Sequence, residues 1–324
     1  MMNLLFKLNT GKFTGQPWFG SERTAGKPGS GLGSVAGQPD FGTGRAAGKR
    51  GWGFYGFLAG VLSLLLLLPF PRALAENASS QSGWREINGK TYYLNENGQC
   101  MTGLLVIDNR YYYFDATGAK AKALGVDVSF YNGTVDWNEL KKCGVDFAMI
   151  RCGGRGWGTG AVFEDSFFYD YLVGAKKAGL DVGIYFYSTA SNVLEAKEEA
   201  EFVLEKLRNT ELDYPIYFDV EYSGDYPSGR ADRISPAQRV QIARAFCETI
   251  ERAGYQSGVY SAQSFFTEGL DYRSICMYGI WIASYTENNA LPNFPHRYDI
   301  WQITDSARIP GISGNADIDI VPDN

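Results

Sequence analysis

The chain has 324 residues, of which 45% are hydrophobic and 15% aromatic, and its formal net charge is −6. That length allows two or more domains with a substantial core. The acidic balance argues against general nucleic-acid binding, and a single histidine, His296, removes most Ser-His-Asp, Cys-His and histidine-rich metal chemistry.

Residues 1–53 are rich in Gly, Ser, Ala and Pro with scattered Lys and Arg, and they read as a disordered basic region. Residues 54–75 form an uncharged apolar run up to Arg72, preceded by Lys49-Arg50 and carrying Ala73-Leu-Ala75 at its end. That pattern fits a signal-peptide h-region with an A-x-A-like cleavage site, or an uncut membrane anchor. In either case the basic flank stays inside and everything after Glu76 goes outside. A polar linker over 76–82 follows.

An internal repeat occupies 83–123. Trp84-Arg-Glu-Ile-Asn-Gly-Lys-Thr-Tyr-Tyr-Leu-Asn-Glu-Asn-Gly is echoed by Val106-Ile-Asp-Asn-Arg-Tyr-Tyr-Tyr-Phe-Asp-Ala-Thr-Gly. Tyr93 aligns with Tyr113, Asn95 with Asp115 and Gly98 with Gly118, a spacing of about 20 residues. Each unit is expected to be a β-hairpin: an Asn-Gly or Asp-Asn turn, an aromatic strand, then a glycine turn. Leu104 stands where the first unit has Trp84.

From 124 to 324 strands and helices alternate. Strands are predicted over 124–129, 147–151, 182–187, 215–221, 257–261, 278–285, 299–304 and 316–321. Helices are predicted over 137–143, 165–178, 193–208 and 236–252, the last with Pro236 in its first turn. Eight strands with intervening helices give an α/β fold, an irregular (β/α) barrel of TIM-like type with helices thin in its last third, preceded by the small β-hairpin repeat module. The five cysteines show no CxxC spacing and read mostly as small core residues. No metal or cofactor is expected.

The stretch over 215–221 carries two acids. Side chains alternate along a strand, so Tyr217, Asp219 and Glu221 share one face, with the acids' Cα atoms roughly 6.5 Å apart. Two carboxyls that close cannot both ionise easily, and one protonated acid beside one charged acid is the equipment of glycoside hydrolysis. Asp127 on the first strand and Asp317 on the last add to the set, since first and last strands are neighbours in a barrel. Tyr185, Tyr187, Trp281, Tyr285 and Trp301 accompany the acids and suit a sugar-binding groove.

These residues also carry a family resemblance. Gly125-Val-Asp-Val-Ser, Val135-Asp-Trp, Phe218-Asp-Val-Glu, Trp281-Ile-Ala-Ser-Tyr, Ile300-Trp-Gln and Gly311-Ile-Ser-Gly-Asn-Ala-Asp-Ile-Asp, in that order, resemble glycoside hydrolase family 25, the family of bacterial, phage and fungal lysozymes. The resemblance implies a β-1,4-N-acetylmuramidase acting on peptidoglycan glycan strands. It implies Glu221 as general acid and Asp219 as the carboxylate assisting the substrate's acetamido group, with Asp127 and Asp317 as further acids lining the site. Phe186 and Ser284 depart from the family pattern. The hairpins resemble cell-wall-binding repeats of the choline- and glucan-binding type, which implies other wall polymers as partners. The expected location is extracellular or wall-associated, with membrane contact only through an uncleaved N-terminal segment. The alternative is a wall-adhesion protein whose barrel binds glycan without cleaving it.

Overall fold

A computed structural model describes residues 82–223, 226–286 and 290–323. The basic region, the apolar segment over 54–75 and nearly all of the linker lie outside them. Among the described residues no helix is long and apolar enough to cross a membrane.

The repeat forms two antiparallel hairpins. The first pairs β1 (Gly83–Ile87) with β2 (Lys90–Leu94), and Trp84 faces Tyr93. The second pairs β3 (Gly103–Ile107) with β4 (Arg110–Phe114), and Leu104 faces Tyr113. Both turns take positive φ at their two central residues, Asn88-Gly89 and Asp108-Asn109, as a tight two-residue hairpin requires. Asn95 and Asp115 then do the same work: each side-chain oxygen accepts backbone N–H groups two and four residues on. The internal repeat is thus a repeated turn chemistry.

The barrel follows in order: β5 (Ala123–Val128), α1 (Trp137–Lys142), β6 (Phe147–Arg155), β7 (Val162–Glu164), α2 (Phe168–Lys177), β8 (Asp181–Ser188), α3 (Val193–Leu207), β9 (Ile216–Val220), α4 (Pro236–Arg252), β10 (Ser257–Ala262), α5 (Gln263–Glu268), β11 (Gly279–Ala283), β12 (Ile300–Ala307) and β13 (Ala316–Val321). The closed ring runs β5-β13-β12-β11-β10-β9-β8-β6 and back to β5, with β7 pinned antiparallel on the outer end of β6. Seven strands are mutually parallel. β13 runs antiparallel to both its neighbours. Two elements were not foreseen from the sequence, the short β7 and α5. Three of the helices begin on side-chain caps, whereas α2, with Phe167 at its N-cap position, has none. Asp136 accepts from Glu139 N at α1, Asn192 from Leu194 N and Glu195 N at α3, and Ser235 forms a capping box with Gln238 at α4.

Strand residues alternate between an outer core under the helices and an inner one in the barrel. The inner cluster holds Phe147, Met149, Tyr185, Tyr217, Tyr260, Trp281 and Ile300. Glycines make room for its large members: a Cβ on Gly125 would stand 2.3 Å from the Phe147 ring, and one on Gly258 2.3 Å from Tyr217. Cys143, Cys152 and Cys247 are buried, whereas Cys100 and Cys276 are exposed. His296 lies at the surface, stacked on Tyr272 with ring centroids 4.3 Å apart.

The second hairpin is built into the barrel wall. Tyr113 and Phe114 are buried, and the Tyr113 ring meets Trp301 edge-on at 5.7 Å. Tyr111 N donates to Cys143 O at 2.6 Å and Lys122 N to Val321 O at 2.9 Å. The first hairpin stacks on the second through Trp84, whose ring lies 4.9 Å from Tyr112 and 5.9 Å from Phe114. The Tyr113 hydroxyl is buried without a hydrogen-bond partner. Tyr113→Ala should therefore cost about 3 kcal/mol through the cavity against Trp301, while Tyr113→Phe, which removes only the orphan hydroxyl, should leave stability unchanged or raised. Thermal unfolding of the two variants checks this, and a Phe variant as unstable as the Ala variant would contradict the packing account.

Candidate active site

The four predicted acids meet at one mouth of the barrel. Asp127 lies near the C-terminal end of β5, Asp219 near the end of β9, and Glu221 is the first residue beyond β9. Asp317 is the second residue of β13, not near its end. Because β13 runs backwards, its start opens on the same mouth as the ends of the other strands, and Asp317 pairs in register with Asp127. Period-2 alternation brings a fifth acid inward, Asp319, fully buried with Trp281 Nε1 donating to its Oδ1 at 2.8 Å. The Asp-Ile-Asp spacing was the available signal for it.

Asp219 is only 3% exposed, whereas Glu221 is open to the mouth. Their carboxyls lie close enough to perturb each other's titration. Burial pushes Asp219 well above the usual carboxylate range, and the charges of Glu221 and then Asp127 add to that push, against a downward pull from Arg151. Glu221 is raised as well, by withdrawal of its carboxyl from water although the residue as a whole is exposed, and Asp219 offsets part of that rise. Asp219 Oδ1 is buried without a hydrogen-bond partner. A buried carboxyl without a donor beside a second carboxyl is disfavoured as the anion, so a deep acid and an open one titrate as a linked pair.

The other acids sit in the same regime. Asp127 is raised well above its ordinary value by burial and then by Asp319, and Gln302 Nε2, donating to Asp127 Oδ2 at 2.6 Å, pulls it back. Asp317 is pushed up to about 8 by burial, then by the charges of Asp127 and Asp305. Arg151 on β6 turns to Asp165, with Nε to Oδ2 at 2.8 Å, and lies over the rings of Phe130 and Tyr131.

The predicted aromatics divide. Tyr187 pairs in register with Asp219, and Tyr285 is 55% exposed at the rim, so both reach the mouth. Tyr185 and Trp281 face inward beneath the acids. Trp281 is 1% exposed and packs on Tyr185, Tyr217 and Tyr260. Trp281 is therefore a buttress under the acids, not a sugar platform, and Tyr185 belongs to the same floor. Trp301, also 1% exposed, points out of the barrel, where it meets Tyr113 and donates to Ser284 O at 2.7 Å. It is a socket for the hairpin, which corrects its assignment to the groove. Phe186, too, faces the outer core. The sequence reading missed Gln302, Tyr260 and the rim tyrosines: Tyr131, 68% exposed beside Phe130, and Tyr222 with Tyr226, whose centroids are 4.8 Å apart. A cavity of about 680 Å³ opens at the other end of the barrel, but its charges are already paired, as in Arg297–Asp299 at 2.9 Å and Lys122–Asp323 at 3.7 Å.

A closed β/α barrel whose mouth gathers a pair of neighbouring carboxyls and an aromatic rim has the architecture of the barrel glycoside hydrolases. The chain belongs to the glycosyl hydrolases family 25, whose sequence profile matches residues 126–312. A choline-binding repeat profile matches residues 81–123. The autolytic lysozyme of Clostridium acetobutylicum is 31% identical over 196 residues, 60% of this chain and 54% of that protein. The lysozyme of Streptococcus phage Cp-1 is 27% identical over 182 residues, 55% of this chain and 48% of that one. The chain thus spans about half the length of the curated relatives it matches. Among solved structures, the modular autolysin LytC from Streptococcus pneumoniae superposes with a TM-score of 0.57 at 25% identity, covering 74% of this chain and 57% of that one. A family 25 glycosyl hydrolase from Bacillus anthracis shares the fold with a TM-score of 0.52 at 23% identity, over 63% of this chain and 90% of that one.

The raised acids make stability depend on pH. A carboxyl that titrates higher when folded than when unfolded contributes its full stability below the unfolded value near 4, and that contribution is lost as pH rises through the folded value. For Asp317 the window ends at about 8. Asp317→Asn should gain at least about 1 kcal/mol over the parent between pH 4 and pH 8, or about 2–4 °C in Tm. Melting curves at both pH values test it, and an unchanged difference would contradict the buried-charge account.

Proposed function

We propose that the chain is a peptidoglycan hydrolase that cleaves the β-1,4 bond between N-acetylmuramic acid and N-acetylglucosamine. The observation that carries this reading is the pairing of buried Asp219 with Glu221 two residues on, of which only Glu221 opens on the mouth. Glu221, the exposed member, when protonated can pass its proton to the departing glycosidic oxygen. With that proton on Glu221, Asp219 is the anion that stabilises positive character at the sugar carbon or its acetamido nitrogen, and the transfer leaves both carboxylates ionised. Asp127 and Asp317 line the same mouth, and Tyr187 and Tyr285 supply ring faces beside it. The relatives' descriptions as lysozymes and autolysin support the activity, and LytC has been solved with a synthetic peptidoglycan ligand.

The repeats over 83–123 serve as the wall-binding part, ahead of the catalytic barrel over 124–324. Their likeness to choline-binding repeats supports a wall polymer as partner, and the enzyme acts outside the cell, delivered by the apolar segment over 54–75. The adhesion reading leaves the gathered acids without a task.

Glu221→Gln should lose at least about 100-fold in release of reducing ends from purified walls, because an amide cannot supply the proton, yet still sediment with the walls. Asp219→Asn should be similarly impaired, and its basic pH limb should move downward. In the parent the last proton leaves only by forming two adjacent anions, which holds that limb high. Near-normal turnover by Glu221→Gln would remove the general-acid assignment, and a parent chain that binds walls but releases no reducing ends would establish adhesion instead.

A further inference from the structure

Gln302 occupies a position that none of the acids explains. It is buried on β12, with Nε2 donating to Asp127 Oδ2 at 2.6 Å, while its Oε1 accepts the Tyr260 hydroxyl at 2.9 Å and the Tyr285 hydroxyl at 2.8 Å. Both lone pairs of the amide oxygen are therefore occupied. Turning the amide over would forfeit both hydroxyl bonds and set oxygen against the Asp127 carboxyl, so its N–H side is fixed toward that acid. Tyr260 lies in the barrel interior. Tyr285 stands at the rim, more than half exposed. One hydrogen-bonded chain thus runs from the rim, through Gln302, to a deep acid.

We propose that Gln302 is a positioning residue for Asp127, and that Tyr285 ties it to the saccharide, presenting its ring face to the ligand while its hydroxyl stays committed to Gln302. This rests on reading the mouth as a glycan site. Asp127 is flanked by Asp317 and Asp319 on β13, Tyr185 on β8, Asp219 on β9, Tyr260 on β10, and Tyr285 just past β11. In that acidic surrounding the Gln302 amide is the neutral donor that favours the ionised form of Asp127 and holds it in one orientation.

Three substitutions in the full chain test the proposal: Gln302→Met, which keeps length without a donor; Gln302→Glu, which keeps shape and places an acceptor against Asp127; and Tyr285→Phe. The first readout is the Asp127 titration midpoint, followed by carboxyl-carbon NMR. It should rise by about one unit in Gln302→Met and further in Gln302→Glu. The second is turnover of soluble peptidoglycan glycan fragments. Gln302→Met should lower kcat about tenfold or more with KM within about threefold, as expected for a lost hydrogen bond to a charged group. Tyr285→Phe should keep KM, because the ring remains, and lower kcat by a smaller factor. A folded Gln302 variant with an unmoved Asp127 midpoint overturns the proposal, as does an unchanged kcat. Should neither Gln302 variant fold, Tyr285→Phe decides: an unshifted Asp127 midpoint there counts against the chain. A parent protein that fails to cleave the fragments refutes the hydrolase reading, while the NMR arm still tests the link to Asp127.

Discussion

The site depends on how the barrel closes. Seven strands run parallel, and the ring is sealed by β13, which runs against them and pairs with β5. That reversal sets Asp317 opposite Asp127 and turns Asp319 inward beside them. Register matters absolutely here, because a one-residue slip would rotate Asp317 and Asp319 to the outer core and bring Ile318 to the mouth. The closing pair also places Gln302, on the strand beyond β13, within reach of Asp127.

Gathering carboxyls in a buried mouth works against stability, and the structure offsets that cost locally. Trp281 donates to Asp319 and Gln302 donates to Asp127. The rim is stiffened by ion pairs away from the acids. Arg155 bonds Glu199 at 2.7 Å, where Ser188 also donates, and burial lifts Glu199 to about 7. Arg230 grips Glu195 with both terminal nitrogens and reaches Thr189 O, which ties the loop after β9 to the loop after β8. Acids held at unfavourable charge inside a rigid surround are the usual signature of a site where stability yields to chemistry.

The hairpin module and the barrel are not beads on a string. Tyr113 inserts against Trp301, which is buried from the outside by the repeat and whose indole N–H bonds Ser284 O at the end of β11. Trp301 and Gln302 are adjacent and point to opposite faces, one holding the repeat and the other holding Asp127. The wall-binding and catalytic parts of the proposed function therefore meet on a single strand.

The chain by itself determined the order of the eight barrel strands and of the four predicted helices, the caps of three of them and four of the five acids. Each of these is local. Period-2 alternation makes Asp219 and Glu221 neighbours on one face, Ser235-Pro-Ala-Gln writes its own capping box, and Asn-Gly and Asp-Asn write their own turns. Only the tertiary structure decided which aromatics meet the mouth and which way the last strand runs. In a barrel wrapped by helices both faces of a strand are buried, so Trp281 and Trp301 look alike in sequence although one faces in and the other out. Strand direction is set by where the chain can return after β12. Among the described residues no helix follows β11, so the last connection is short enough to fold back, and β13 enters antiparallel.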